Sequence, residues 1–466
     1  MQRAPVNPVA VLVIVCTGVV LVTLDLFIVN LAFPAIEQSF GGTSLSTLSW
    51  VLNAYAIVFA ALLIPAGRFA DRTSRKGGFL LGVAIFTLAS ALCAAANGVE
   101  LLVAARILQA VGAALLMPAS LGLLLAAYPP ERRAGAVRMW AATSGVAAAL
   151  GPVLGGLLVS VDWRWIFLVN LPVGIGALLA GRRYLPAVPR VPEPLPDLLG
   201  AFVLMLGAAA LTLGLVKAPD WGWGGGRTLA SLVGSALLLG YFVVRSSRHA
   251  SPIIELDLFR VRAFAVSTLA MFLFSAAFAG NLLSVLVWAQ TAWGWSALKT
   301  GIAFLPGPLM VPLFAIGAGK VAHRIGPGVL ATLGCLSFCA GTLLYASRIG
   351  LEPNYLTAML PGALLVGTGV GLTLPTLTAT AAGSLPSQRF ATGSAVITMA
   401  RQVGYTVGVA VLIAVLAKPL SADDRLVAFH HGWDVVAGIS LLGALAASLL
   451  IRRPAPVLVP APAKSS

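Results

Sequence analysis

The chain has 466 residues, 59% of them hydrophobic and only 10% charged, with a mean hydropathy of +0.97. A soluble protein of this length needs far more charged surface, so that class is excluded. The formal net charge of +15 does not indicate nucleic acid, because no stretch is dense enough in Lys and Arg to follow a phosphate backbone.

Apolar runs of about 20 residues recur along the chain, each long enough to cross roughly 30 Å of hydrocarbon. They are continuous and not alternating, which argues against a β-barrel. The fold class is an all-α polytopic membrane protein. Arg3 and the apolar run after it have the look of a signal peptide, but the run is too long and a second span follows at once, so a retained first helix is expected. Fourteen spans are placed near 9–33, 49–67, 78–97, 101–126, 135–160, 165–183, 198–216, 228–246, 264–289, 301–320, 328–347, 356–381, 392–417 and 434–451. Gly, Pro or charge interrupts the chain between them. Cys16, Cys93, Cys335 and Cys339 all fall inside spans and show no metal or redox spacing.

Of the 30 Lys and Arg residues, 21 fall on one side of this arrangement and 7 on the other, with Arg106 and Arg401 inside spans. The bias puts both termini in the cytoplasm. Nine of the ten Trp residues, all but Trp140, fall at outward ends or in outward loops, where an interfacial aromatic belt is expected.

The first span carries a lone carboxylate, Asp25. Placing a charge at the centre of a bilayer costs roughly 2.5–3.5 kcal/mol on insertion scales, so such a residue marks a functional site by default. Asp25 lies about 16 residues into its span, roughly 24 Å at 1.5 Å per residue. Arg106 lies about 6 residues into the fourth span from the opposite side, roughly 9 Å, which gives the two a similar depth. Desolvation raises the pKa of a buried acid and a nearby guanidinium lowers it, a combination suited to taking up and releasing a proton. A static ion pair locking two helices is the competing reading. Asn30, Asn53, Tyr55, Gln109, Asn281 and Gln402 are polar groups within spans, and each either lines a cavity or bonds to a neighbouring helix. Arg401 either meets a substrate or latches onto backbone carbonyls. His249, His323, His430 and His431 all fall outside the spans, so a buried histidine relay is not supported.

The chain also repeats. Gly67-Arg68-Phe69-Ala70-Asp71-Arg72 echoes Gly319-Lys320-Val321-Ala322-His323-Arg324. Gly112, Pro118, Pro129, Arg132, Ala134 and Gly151 match Gly369, Pro375, Pro386, Arg389, Ala391 and Gly408. The expected organisation is six spans in 1–186, a Pro-rich linker with two unpaired spans in 187–262, six spans in 263–453, and a disordered cytoplasmic tail in 454–466. Parallel six-helix repeats with a binding site between them are a known transporter architecture.

These stretches resemble the major facilitator superfamily, and within it the 14-helix drug:proton antiporter branch. Asp25 through Pro34 resembles the first-helix signature of that branch. Gly67, Arg68, Asp71, Arg72, Arg75, Lys76 and Gly77 resemble the loop between helices two and three. Arg106-Ile107-Leu108-Gln109-Ala110-Val111-Gly112 resembles the fourth-helix arginine motif. Gly145, Gly151, Pro152, Gly155 and Gly156 resemble the fifth-helix antiporter motif. Trp163 through Pro172 and Arg401-Gln402-Val403-Gly404 are also similar to the branch. Phe27, Ser74 and Ala110 depart from it, standing where a small polar residue and two glycines are usual.

The resemblance implies two six-helix bundles plus two inserted helices, and a central cavity holding Asp25 and Arg106 as the proton-coupling pair. Asn30, Asn53, Tyr55, Gln109, Asn281, Arg401 and Gln402 are then cavity residues, and the Gly67–Gly77 loop is a conformational switch. The activity implied is export of a hydrophobic small molecule, cationic ones included, in exchange for protons across the cytoplasmic membrane. The proton gradient supplies the energy; no cofactor or metal is expected, and one chain is expected to suffice. A dedicated exporter of one endogenous metabolite is the alternative. An intramembrane enzyme would need a cluster of His, acid and nucleophile at membrane depth, and a receptor would carry a sizeable soluble domain; neither is present in the sequence.

Overall fold

A computed structural model describes residues 7–41, 43–188, 197–385, 389–416 and 421–451. The Pro-rich linker from 189 onward and the expected tail lie outside them. Fourteen long helices run through the described chain: α1 (Pro8–Ser39), α2 (Trp50–Arg72), α3 (Arg75–Ala94), α4 (Val99–Ala127), α5 (Pro130–Val161), α6 (Asn170–Tyr184), α7 (Leu198–Trp221), α8 (Gly226–Arg248), α9 (Arg262–Thr291), α10 (Pro306–Ile325), α11 (Pro327–Arg348), α12 (Leu360–Gly383), α13 (Phe390–Leu416) and α14 (Ala422–Ser448). Short helical turns at Leu45–Leu48, Trp165–Leu168, Ala297–Phe304 and Tyr355–Met359 lead into α2, α6, α10 and α12. Thirteen spans are continuous and apolar enough to cross a bilayer. The fourteenth, α5, is bent by 42° between Ala148 and Leu150. Pro152 explains the bend: it has no N–H, and its ring crowds the carbonyl of residue 148 one turn back.

Helices α1 to α6 pack on one another, and α9 to α14 do the same. Between these two bundles the main contacts are α2 with α13, α1 with α9, and α5 with the Ala297–Phe304 turn. The inserted helices α7 and α8 form a hairpin, and α7 lies against α2 of one bundle and α13 of the other. Asp197 starts this hairpin. Its carboxylate caps α7 by accepting from Gly200 N at 2.8 Å and receives a fork of hydrogen bonds from Arg245 of α8 at 2.7–2.9 Å. Burial pushes the Asp197 pKa up. The Arg245 hydrogen bonds, the Gly200 N–H and the guanidinium charge outweigh burial and hold it below the ordinary carboxylate value.

Three expectations change. The Gly67–Arg72 segment is not a loop but the last turns of α2, and only Thr73 and Ser74 separate it from α3. Ser74 caps α3 through Gly77 N at 3.0 Å. Charged residues can end a helix where it leaves the membrane, so charge alone does not mark a loop. Gly319–Arg324 likewise closes α10, and the chain turns next at Gly326, whose φ of 83° suits glycine.

The Trp residues do not form a simple belt. Trp163, Trp288, Trp293, Trp295 and Trp433 are buried. Trp288 stacks against Phe429 and Trp433 at 5.0 and 5.9 Å, and Trp293 against Trp295 at 4.9 Å. The buried core at this Trp-rich end is shared by both bundles. Toward the opposite, basic end the core divides, one part within α1 to α6 and another around α9, α13 and the inserted hairpin. The third change concerns the cavity, described next.

Candidate functional site

Two features meet on opposite faces of α1. The first is a sealed polar network inside the first bundle. Arg106 of α4 donates from Nη1 to the Asp25 carboxylate and to Gln109 Oε1, and from Nε to the Val51 carbonyl at 3.1 Å. Gln109 donates from Nε2 to Asp25 Oδ1 at 3.0 Å and to the Ser90 hydroxyl at 2.9 Å. Asn170 reaches Ser90 at 3.4 Å. The guanidinium also lies 4.2 Å above the Tyr55 ring, a cation–π contact. Both charged side chains of the pair have no exposed area.

Arg106 and Gln109 sit three residues apart on one face of α4, and this is why they grip the same carboxylate. The buried pair is tightly hydrogen-bonded, as it must be to repay its desolvation. It is not saturated: Arg106 Nη2, Tyr55 Oη and Asn53 Oδ1 are buried without a hydrogen-bond partner among the described residues. Four residues singled out in the sequence, Asp25, Arg106, Gln109 and Tyr55, thus converge. Ser90, Asn170 and the Val51 carbonyl also belong to the network and are not among the candidate site residues of the sequence. A lone Ser in an apolar helix gives no signal, while Asn170 at a span end in a recognisable motif was an available clue.

The second feature is a cavity of ≈ 210 Å³ between the bundles. Its walls include Val22, Thr23, Leu26 and Phe27 of α1, Phe278 of α9, Val366 and Val370 of α12, and Arg401, Gln402 and Tyr405 of α13. Asp25 and Arg106 do not line it, contrary to what the resemblance implied. The reason is helical phase: at about 100° per residue, Asp25 points roughly 130° away from the centre of the α1 face formed by residues 22, 23, 26 and 27. Of the seven expected cavity residues, only Arg401 and Gln402 face this space. Tyr55 and Gln109 belong to the network. Asn30 donates back to the Leu26 carbonyl at 2.7 Å, Asn53 to Ser49 Oγ at 3.5 Å, and Asn281 to Thr342 Oγ1 at 3.1 Å.

The glycines of α5 set how closely the helices approach. A Cβ on Gly151 would lie 2.7 Å from Phe27 Cβ, and one on Gly155 3.2 Å from Ile28 Cγ2, so both abut α1. One on Gly156 would lie 2.7 Å from the Ala297 carbonyl oxygen of the other bundle. Gly301, absent from the motif, answers it: its Cβ would lie 2.1 Å from the Pro152 oxygen. Gly145 lies in the same helix. Small residues here allow backbone-to-backbone packing between bundles.

At the basic end, the Gly67–Gly77 stretch ties several elements together. Asp71 pairs with Arg75 at 2.5 Å, and Arg75 also reaches the Gly122 carbonyl of α4 at 3.4 Å. Lys76 donates to the Arg182 carbonyl in the last turn of α6 and to the Leu185 carbonyl just past it, both at 2.8 Å. Arg68 donates to Ser251 Oγ, just past the inserted hairpin, at 2.5 Å. Arg72 ends α2. Among the described residues no group of His, Cys, Asp and Glu is arranged to hold a metal ion.

The comparisons agree with this architecture. The Major Facilitator Superfamily pattern matches residues 15–409. The chain is 34% identical to the tetracenomycin C resistance and export protein of Streptomyces glaucescens, over 88% of this chain and 76% of the relative. It is 32% identical to the methylenomycin A resistance protein of Streptomyces coelicolor, over 94% and 91%. In fold it is similar to a bacterial homologue of the human lysosomal transporter Spinster, with a TM-score of 0.67 at 15% identity, over 96% of this chain and 99% of the other. A family match across most of the chain, relatives that are resistance and export proteins, and thirteen helices long and apolar enough to cross a membrane, fourteen with the bent α5, lead to one conclusion: this multi-pass membrane protein belongs to the major facilitator superfamily.

Proposed function

We propose that the protein is a proton-coupled antiporter that exports hydrophobic, drug-like molecules, antibiotics among them, by alternating access. The observation that carries this reading is the position of α1, with Asp25 in the sealed network on one face and the cavity wall on the other. A proton on Asp25 cancels one charge of a buried pair. Arg106 then keeps the Val51 carbonyl, Gln109 and the Tyr55 ring, and has a free Nη2 with which to take a new partner. The resulting shift of α1 reshapes the cavity, so a bound proton and a bound substrate become alternatives. The bend in α5 and the Gly156–Gly301 seam supply the place where the bundles close on each other.

The Lys and Arg bias supports termini in the cytoplasm. The six-plus-two-plus-six organisation, with one chain as the working unit and the proton gradient as the energy source, is part of the same proposal. A second reading, a dedicated exporter of one metabolite made by the same cell, is favoured by relatives named for single antibiotics.

The test is transport in proteoliposomes under an imposed pH gradient, comparing wild type with Asp25→Asn on a panel of lipophilic compounds. The gradient is expected to drive wild-type transport, and Asp25→Asn to bind substrate but lose that drive. Equal transport by Asp25→Asn would make the pair a static lock.

A further inference from the structure

We infer that the central cavity selects an aromatic organic anion, a carboxylate or an acidic phenolate, with Arg401 as its counter-charge. This rests on the reading of that cavity as the site of the exported molecule. Arg401 is the one cationic side chain that lines it among the described residues, and no Asp or Glu does. The embedded carboxylate that would attract a cation, Asp25, is turned away and committed to Arg106 and Gln109. Arg401 is not latched either. Its Nε is buried without a hydrogen-bond partner, and among the described residues no carboxylate lies within ion-pair distance of it.

Beside it, Gln402 is 1% exposed, lines the same cavity, and leaves both its amide nitrogen and its amide oxygen without a partner among the described residues. A guanidinium in a space of low dielectric is stabilised by an anion, and a monodentate or bidentate acid oxygen matches its donor geometry. A cation in the same space meets a like charge. A neutral ligand leaves the guanidinium unpaired. The aromatic part of the ligand has its place as well. Phe27 and Phe278 meet edge to face at 6.2 Å, Phe278 and Tyr405 lie 5.8 Å apart, and all three line the cavity. Tyr405 follows Arg401 by one helical turn, so ring and charge contacts fall on one face of α13.

The choice of anion also changes the energetics of exchange. Export of an anion and entry of a proton both carry positive charge inward, so an interior-negative potential drives both legs. A monocation exchanged for one proton moves no net charge.

The experiment uses the full-length purified protein and three probes of one shape: 2-naphthoate, its methyl ester, and 2-naphthyltrimethylammonium. Binding is measured for wild type, Arg401→Gln and Arg401→Lys, each checked for its elution profile and thermal unfolding. Naphthoate is expected to bind wild type at least about tenfold tighter than the ester, the scale of one charge-assisted hydrogen bond. Arg401→Gln is expected to abolish that ratio, and Arg401→Lys to keep part of it. In proteoliposomes, an interior-negative potential imposed without a pH gradient is expected to speed naphthoate export. Equal binding of the three probes, tighter binding of the ammonium, no binding of any probe, or a preference for naphthoate that survives Arg401→Gln would each overturn the inference. If the ester or the ammonium binds best and is still pumped by a pH gradient, the anion assignment falls while the antiporter reading stands. If naphthoate binds through Arg401 but no gradient of protons moves it, the assignment stands and the coupling reading falls.

Discussion

The interior of the first bundle and the cavity wall of the second treat charge in opposite ways. Arg106 is enclosed, paired with Asp25, bonded to Gln109 and the Val51 carbonyl, and faced by the Tyr55 ring. Arg401 stands in the cavity wall with no carboxylate beside it among the described residues. The two halves differ again at matching positions of the repeat. Arg106 and Gln109 of the network correspond, at the spacing that relates Gly112 to Gly369, to Ala363 and Val366, which line the cavity. The first half therefore keeps its charge paired and away from the cavity, while the second half presents a guanidinium on the cavity wall. Both are arginines within apolar helices, and under the proposed function only their surroundings separate a coupling device from a binding one.

The largest effect expected from breaking this contrast is at the enclosed pair. Arg106→Met leaves Asp25 buried and uncompensated, which costs about 3–5 kcal/mol. The protein is expected to lose thermal stability and, at that cost, much of its yield. Adding Asp25→Leu removes the orphaned charge and is expected to restore most of the stability but none of the proton-driven transport. A full double-mutant cycle, read by thermal unfolding and by vesicle transport, separates the two roles. If the double variant still responds to a pH gradient, the pair is structural and Arg106 and Arg401 differ in packing alone.

Much of this network was legible in the sequence, because a charge in an apolar run is conspicuous and depth can be counted in residues. Asp25 and Arg106 match in that way, while Gln109 reads only as a polar group within a span and as part of the fourth-helix motif. What the sequence did not reveal was which way each side chain faces. Helix α1 is apolar nearly all round, so no stripe distinguishes lipid, core and cavity; only the family resemblance puts Asp25 in the cavity, whereas it points behind the wall. The same ambiguity hid the burial of Trp288 and Trp433, since an indole at the membrane edge and one packed against Phe429 have the same neighbours in sequence. Gly301 was invisible for a different reason: its importance lies in a contact with Pro152, about 150 residues away along the chain.

A smaller effect is expected at Asp197, a pair that is buried on one side only: the Asp197 side chain is 1% exposed and that of Arg245 23%. Its lowered pKa fixes the sign. The stabilisation is fully present above the unfolded carboxylate pKa of about 3.9 and is lost as the pH falls through the lower folded value. Asp197→Asn is thus expected to lower the melting temperature at neutral pH, and the gap to wild type is expected to close below about pH 4. A gap that persists unchanged into acid would mean that the cap on α7, and not the charge, holds the hairpin.

The smallest effect on stability is expected at the Asp71–Arg75 pair, whose side chains are 36% and 23% exposed. Pairs of this kind contribute about 0–1 kcal/mol, so Asp71→Asn should unfold at nearly the wild-type temperature. Its transport should nonetheless slow while substrate binding stays intact. Arg75, freed from Asp71, still reaches Gly122, but its reach across the α2–α3 turn is no longer fixed. If this end of the molecule must release and reform during the cycle, rate will suffer where affinity does not. Single-turnover and steady-state transport measured side by side distinguish these outcomes. Unchanged turnover would leave Asp71 as one more charge at a membrane edge, and the proposed cycle would then rest on Asp25 with Arg106 inside the first bundle and on Arg401 in the cavity wall.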